Sequence, residues 1–180
     1  MSWHMHAPGR FLLQVLYAIG ASLLAMVALR RLGDRALLAL GLSVVLGGEA
    51  VAGVLAAAGV DHALPSALLL TGGFFFDRRL IVAYPVAPWL GMMCLGWVLG
   101  RRLATWKDEA PVRAARALAR AGAGSLAVFA VLRALDGYGS WHLHRDGLAP
   151  LQWLHVSKYP PSVTYTALEL GIMALSLAAL

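Results

Sequence analysis

Five apolar stretches, separated by charged turns, limit what this chain can become more than any other feature of it. The first, 11–29, runs from Phe11 to Leu29 without a charged side chain, and Arg30, Arg31 and Arg35 follow at once. At about 1.5 Å per residue such a run is long enough for one helix to cross a hydrocarbon layer of roughly 30 Å. No basic segment precedes it, so it reads as a span and not as a cleaved leader. The second stretch, 36–60, has Glu49 as its single charge and carries Gly41, Gly47, Gly48 and Gly53, which permit close helix packing in lipid. The third is 80–100. The fourth, 117–135, holds Arg120 and Arg133 near its ends, where long side chains can reach water. The fifth, 160–180, opens on two adjacent prolines. Residues 63–76 are apolar but too short to span and are broken by Pro65 and Gly72-Gly73, as expected of an interfacial or re-entrant segment. The expected fold is a single all-α domain, a polytopic transmembrane helical bundle of about five spans with one such short segment.

Composition agrees. Only 13% of residues are charged, against about 25% in soluble domains, and the mean hydropathy is +0.71. The formal charge of +6 would fit nucleic-acid binding, but the excess lies in the turns beside apolar runs, so topology explains it and no nucleic-acid partner is expected. Lysine and arginine number nine on one side of the alternating spans and six on the other, which places the N-terminus outside and the C-terminus in the cytoplasm. The lone Cys94 lies inside an apolar run and reads as an inert buried thiol. No internal repeat is evident, which ranks a small-solute transporter lowest among the functions considered.

The polar residues that remain are candidates for chemistry. Ser162, Tyr165, Thr166 and Glu169 share one helical face, and that face needs a partner other than lipid. Lys158 and Tyr159 stand at its mouth, immediately before Pro160 and Pro161, residues suited to a first helical turn. The plain alternative is a proline cap with Lys158 and Tyr159 as interface anchors. Glu49 and Glu169 lie within spans, where an ionisable group marks function by default, although Glu49 near an interface would simply pair with a base. His4-x-His6 and His142-x-His144 would bind metal only if brought together, and no metal site is expected. All six histidines fall on the non-cytoplasmic side, and each is a potential general base lacking a paired nucleophile. The basic turn 101–120 could attract the phosphates of an acyl-coenzyme donor on the cytoplasmic face, but it is read chiefly as setting orientation.

Three motifs, Leu13-Gln14-Val15-Leu16-Tyr17-Ala18-Ile19-Gly20, Tyr84-Pro85-Val86-Ala87-Pro88-Trp89-Leu90-Gly91 and Ser157-Lys158-Tyr159-Pro160-Pro161-Ser162, together resemble the heparan-alpha-glucosaminide N-acetyltransferase catalytic-domain family in its bacterial, uncharacterised multi-pass members. Arg133 with Asp136-Gly137-Tyr138-Gly139 adds a fourth, weaker match. The resemblance implies an integral protein of the bacterial inner membrane that moves an acyl group from a coenzyme A thioester to an acceptor such as an amino sugar. Acyl-coenzyme A would be a donor substrate, with no permanently bound cofactor. Substrate-binding residues would be Lys158, Tyr159, Ser162, Tyr84, Trp89 and Arg133, with no catalytic residue assigned. The family's usual leading spans, with an Arg-Gly signature and a histidine tied to catalysis, are not found before Trp3, so the chain looks like part of a larger domain. The second expectation is a non-enzymatic membrane component packed against partner helices or a second copy of itself.

Overall fold

The computed structural model of the protein describes residues 10–106, 111–141, 143–147 and 149–180. A short strand, β1 (Phe11–Leu13), leads into helix α1 (Val15–Leu29), and α2 (Asp34–Ala57) returns after a tight turn. One helical turn, α3 (Leu64–Ser66), runs into a π-turn (Ala67–Thr71) and then the strands β2 (Gly73–Phe75) and β3 (Leu80–Val82). Helices α4 (Val86–Trp106), α5 (Pro111–Leu135), the short α6 (Pro150–Leu154) and α7 (Val163–Ala178) complete the chain.

The fold is mostly helical, but the all-α expectation is corrected by a three-stranded sheet of order β1-β3-β2. β1 pairs parallel to β3 with Phe11 opposite Leu80, and β2 pairs antiparallel to β3 with Gly73 opposite Val82. The physical reason lies in the two ends of the expected spans. Phe11 to Leu13 and Leu80 to Val82 are bulky and partly β-branched, and they satisfy their backbone groups across the sheet instead of within a helix. The segment expected to be interfacial therefore divides into a helical turn and a strand. Gly72 is obligatory at the division: its φ is +70°, and a Cβ there would lie 2.9 Å from the Val82 carbonyl oxygen. The parallel β1–β3 pairing also sends α1 and α4 away from the sheet in the same direction, so the two helices pack side by side.

Among the described residues two helices, Asp34–Ala57 and Pro111–Leu135, are long and apolar enough to cross a membrane. α1 and α7 are apolar but shorter, at 15 and 16 residues, because the sheet consumes one end of the first run and the Pro160-Pro161 loop one end of the last. α4 keeps 21 residues but carries Arg101 and Arg102 in its final turns. A core of Met26, Leu37, Cys94 and Val98 joins α1, α2 and α4, and the Cys94 thiol lies 3.8 Å from the Met26 sulfur.

One packing solution is used twice. α2 packs against α4 and α5 against α7, each an antiparallel pair. A Cβ on Gly41 would meet Leu95 at 2.8 Å and the Gly91 carbonyl oxygen at 3.0 Å. A Cβ on Gly122 would meet Leu175 at 2.8 Å and the Gly171 carbonyl oxygen at 3.0 Å. In both hairpins a glycine faces a glycine, and the leucine four residues after the second glycine closes over the first. Contacts between the hairpins, α2 with α7 and α4 with α5, are sparse by comparison. Replacing Gly122 by Val is expected to lower stability by about 1–3 kcal/mol through overpacking. The same change at Gly20, which has open space around it, should cost far less in a thermal melt in detergent.

Helix direction gives the molecule two unlike ends. At one, Arg101 donates to the Arg30 carbonyl and, at 3.3 Å, to that of Leu32, and it pairs with Asp34 at 3.2 Å, locking the end of α4 to the α1–α2 turn. At the other lie the sheet, His62, His144, His155 and the Tyr84 and Tyr159 segments. His4, His6 and His142 lie outside the described residues.

Candidate site at the Tyr84 and Tyr159 helix mouths

The site is assembled around a buried arginine. Arg133, 0% exposed in the last turn of α5, donates from Nε to the Trp153 carbonyl (3.2 Å) and from Nη1 to Leu143 O (2.9 Å), Ser140 Oγ (3.2 Å) and Asp136 (3.4 Å). Its Nη2 donates to the Gln152 carbonyl and, at 3.2 Å, to that of His155. A guanidinium offers five N–H donors in a fixed fork, so one side chain gathers carbonyls from both limbs of the loop between α5 and α7. Asp136 takes φ +49° past the end of α5, a left-handed cap. Its second carboxylate oxygen accepts the Arg145 N–H at 2.8 Å. Arg145 in turn lies over the Trp153 ring at 4.6 Å.

The gathered loop clasps both hairpins. Gly139, at φ +92°, accepts both the Thr164 N–H and its hydroxyl at 2.9 Å, tying the loop to the start of α7. The Tyr138 hydroxyl donates to the Leu46 carbonyl and accepts from the Ala50 N–H at 3.4 Å, inserting itself into a turn of α2. The Trp141 N–H donates to Glu49 Oε1 at 3.1 Å. The other Glu49 oxygen is buried and has no hydrogen-bond partner among the described residues. It borders a cavity of about 10 Å³ between the hairpins, lined also by Leu70, Pro88, Trp141, Pro161 and Thr166. That space suits one water molecule and is far below the roughly 300 Å³ of a small-molecule pocket.

Above the cavity the two Tyr-Pro segments meet. Tyr84 and Tyr159, 75 residues apart, share a hydroxyl–hydroxyl hydrogen bond of 2.8 Å, with ring centroids 4.9 Å apart edge to face. Trp89 lies 5.4 Å from Tyr84, centroid to centroid, and its indole N–H is buried without an acceptor among the described residues. The Lys158 ammonium sits 5.6 Å from the Tyr159 ring centroid, within cation–π range. Four of the six expected site residues, Tyr84, Trp89, Lys158 and Tyr159, are thus brought together. Tyr159 is 54% exposed, so the cluster opens outward.

Ser162 and Arg133 stand apart from it. Ser162 is buried and caps α7, accepting the Tyr165 N–H at 3.0 Å. Because Thr164 gives its proton to Gly139, the 3.0 Å contact between the two hydroxyls requires Ser162 to donate to Thr164. Its hydroxyl is consumed by the cap. The prolines precede that cap and do not fill the first turn: Tyr159–Pro160 is cis, and the Ser162 N–H returns to the Ser157 carbonyl at 2.9 Å. The polar face of α7 divides, with Ser162 and Thr166 buried, Tyr165 half-buried near the tyrosine pair and Glu169 exposed. Tyr138 and Tyr165 received no site role from sequence reasoning, although the first lay inside a recognised motif and the second on the noted stripe.

Burial, reinforced by the hydrogen bond from its partner phenol, pushes Tyr84 up to about 12 from the ordinary 10.0. It remains a neutral donor or acceptor over any physiological range and does not act as a phenolate base. Since folding favours its protonated form, its contribution is complete below pH 10 and fades as pH rises toward 12. The melting temperature of the parent should therefore fall as pH rises from about 10 to about 12, and fall less in Tyr84→Phe. Arg133→Met, which leaves buried carbonyls and Asp136 unpaired, is expected to cost about 3–5 kcal/mol and to expose the loop to limited proteolysis.

This geometry defines a helical protein whose membrane-length helices carry a polar aromatic mouth at one end. The profile of the heparan-alpha-glucosaminide N-acetyltransferase catalytic family matches residues 2–133, and the chain belongs to that family. The match includes Tyr84 to Gly91 and stops before Lys158-Tyr159-Pro160-Pro161. No curated protein and no solved structure was found to match the chain.

Proposed function

We propose that the protein is a multi-pass membrane acyltransferase of this family, its five helical stretches crossing the bilayer with the N-terminus outside and the C-terminus in the cytoplasm. The donor would be an acyl-coenzyme A and the acceptor a compound such as an amino sugar, held at the mouth formed by Tyr84, Trp89, Lys158 and Tyr159. One observation carries this reading: the 2.8 Å contact between Tyr84, inside the family match, and Tyr159, beyond it, joins two distant motifs in one exposed cluster. The chemistry fits the residues. Tyr84 and Tyr159 supply neutral hydroxyls, the Trp89 indole an unspent donor, and Lys158 a cation beside the place where an acyl oxyanion would develop. Ser162 and Arg133 serve by holding the mouth in place, Ser162 through the α7 cap and Arg133 through the loop.

A second reading, a non-enzymatic component packed against partner helices, rests on Glu169, an exposed carboxylate halfway along the apolar α7. Membranes containing the protein should transfer acyl groups from acetyl-coenzyme A to glucosamine. Lys158→Ala should lower that rate on the order of a hundredfold, the loss typical of removing one oxyanion-stabilising donor. Transfer that is unaffected by the substitution would remove Lys158 from the mechanism. Absence of transfer, together with cross-links from a cysteine placed at Glu169 to another chain, would favour the second reading.

A further inference from the structure

Among the described residues, arginine is the prevailing charged side chain at the end of the molecule opposite the tyrosine cluster. Arg30, Arg31 and Arg35 are exposed on and beside the α1–α2 turn, Arg102 at the end of α4, and Arg113 and Arg116 at the start of α5. The fold brings these three chain segments together. Arg101 ties α4 to the α1–α2 turn, and the Arg113 guanidinium lies 4.9 Å from the centre of the Trp106 ring, across the α4–α5 connection. The one acidic group among the described residues of this end, Asp34, is already paired with Arg101 at 3.2 Å and Arg102 at 3.8 Å. Arg30, Arg31 and Arg35 have no acidic partner among the described residues, so their charge faces outward. The other end is more nearly balanced, for there Asp61, Asp77, Asp136 and Asp146 offset its bases, whereas at the arginine end the sequence adds only Asp108 and Glu109, beside Lys107, in the α4–α5 connection.

The aromatic residues at the arginine end add a second observation. Trp97 and Trp106 both lie in the last three turns of α4, each beneath a guanidinium, Arg101 at 5.7 Å and Arg113 at 4.9 Å. Tryptophan at that level, on helices with exposed leucines and valines such as Leu23, Leu24 and Val27 on α1, marks the boundary between acyl chains and headgroups. With the helices crossing a bilayer as proposed above, the arginines would sit at headgroup depth. Guanidinium groups bind phosphate through paired N–H donors, and a basic cluster at a membrane surface gains about 1 kcal/mol per residue from anionic lipid.

We propose that this arginine collar is a binding surface for anionic phospholipid headgroups, with Arg30, Arg31 and Arg35 as its centre. The site is independent of the tyrosine cluster and of any acyl transfer. Orientation follows from it, because the collar belongs in the leaflet richer in anionic lipid.

The test uses the full chain purified in detergent and titrated with phosphatidylglycerol, with phosphatidylcholine and with inorganic phosphate, following the melting temperature and the lipid retained per protein. Phosphatidylglycerol should bind and stabilise where phosphatidylcholine does not, and the effect should shrink in high salt. Arg30→Gln, Arg31→Gln and Arg35→Gln combined should weaken phosphatidylglycerol binding on the order of tenfold or more. Arg78→Gln with Arg79→Gln, which removes charge at the other end, should leave it unchanged. Should the triple variant fail to fold, Arg113→Gln with Arg116→Gln takes its place, with a weakening in the same direction. Equal response to the two lipids, equal weakening by the two ends, or an equal response to inorganic phosphate would each overturn the proposal, the last by assigning the collar to a soluble phosphate ligand.

Discussion

The structure hangs on a charge kept wholly out of solvent. An arginine at 0% exposure is tolerable only where its donors are all met, and Arg133 meets them with carbonyls drawn from Leu143, Gln152, Trp153 and His155. Everything at the tyrosine end follows from that requirement. The loop, drawn inward, offers Gly139 to Thr164, Tyr138 to α2 and Trp141 to Glu49. With Thr164 held, Ser162 caps α7, and the residues just before the cap bring Tyr159 to Tyr84. The exposed mouth is thus positioned by a side chain that is itself wholly buried.

The helical part of this architecture was legible because it is written in long apolar runs. α2, expected at 36–60, runs from 34 to 57, whereas α5, expected at 117–135, begins six residues earlier at Pro111, because Arg113 and Arg116 make its first turns look like part of the basic turn. The sheet was not legible. Three-residue strands such as Phe11–Leu13 and Leu80–Val82 are too short for alternation to show, and each adjoins an apolar helix that absorbs it by eye. Arg133 with Asp136 to Gly139 stood out as a motif, but its reason did not: the carbonyls that bind Arg133 carry no side-chain signature. Ser162 looked like a ligand contact because a hydroxyl beside lysine and tyrosine reads that way, whereas the structure commits it to a helix cap. The Tyr84–Tyr159 contact spans 75 residues and depends on two hairpins settling side by side, which no local pattern encodes.

The two ends of the molecule divide the physical work. The tyrosine end is knit by short polar contacts around carbonyls and phenols, while the described residues of the arginine end use one ion-pair cluster, on Asp34, to fix α4 to the α1–α2 turn. Between them the hairpins are held mainly by close glycine packing, a dispersion-driven contact that works in lipid as well as in water. A small cavity and a half-satisfied carboxylate, Glu49, lie where the hairpins meet, which is also where packing is thinnest.

The Gly41–Gly91–Leu95 arrangement of one hairpin recurs as Gly122–Gly171–Leu175 in the other, so each helix pair is closed by its own glycine seam. The second helix of each hairpin follows a Tyr-Pro step, and these steps touch each other. The exposed tyrosine cluster is then a junction between two similarly packed helix pairs, a place where a side chain can change without disturbing either glycine seam.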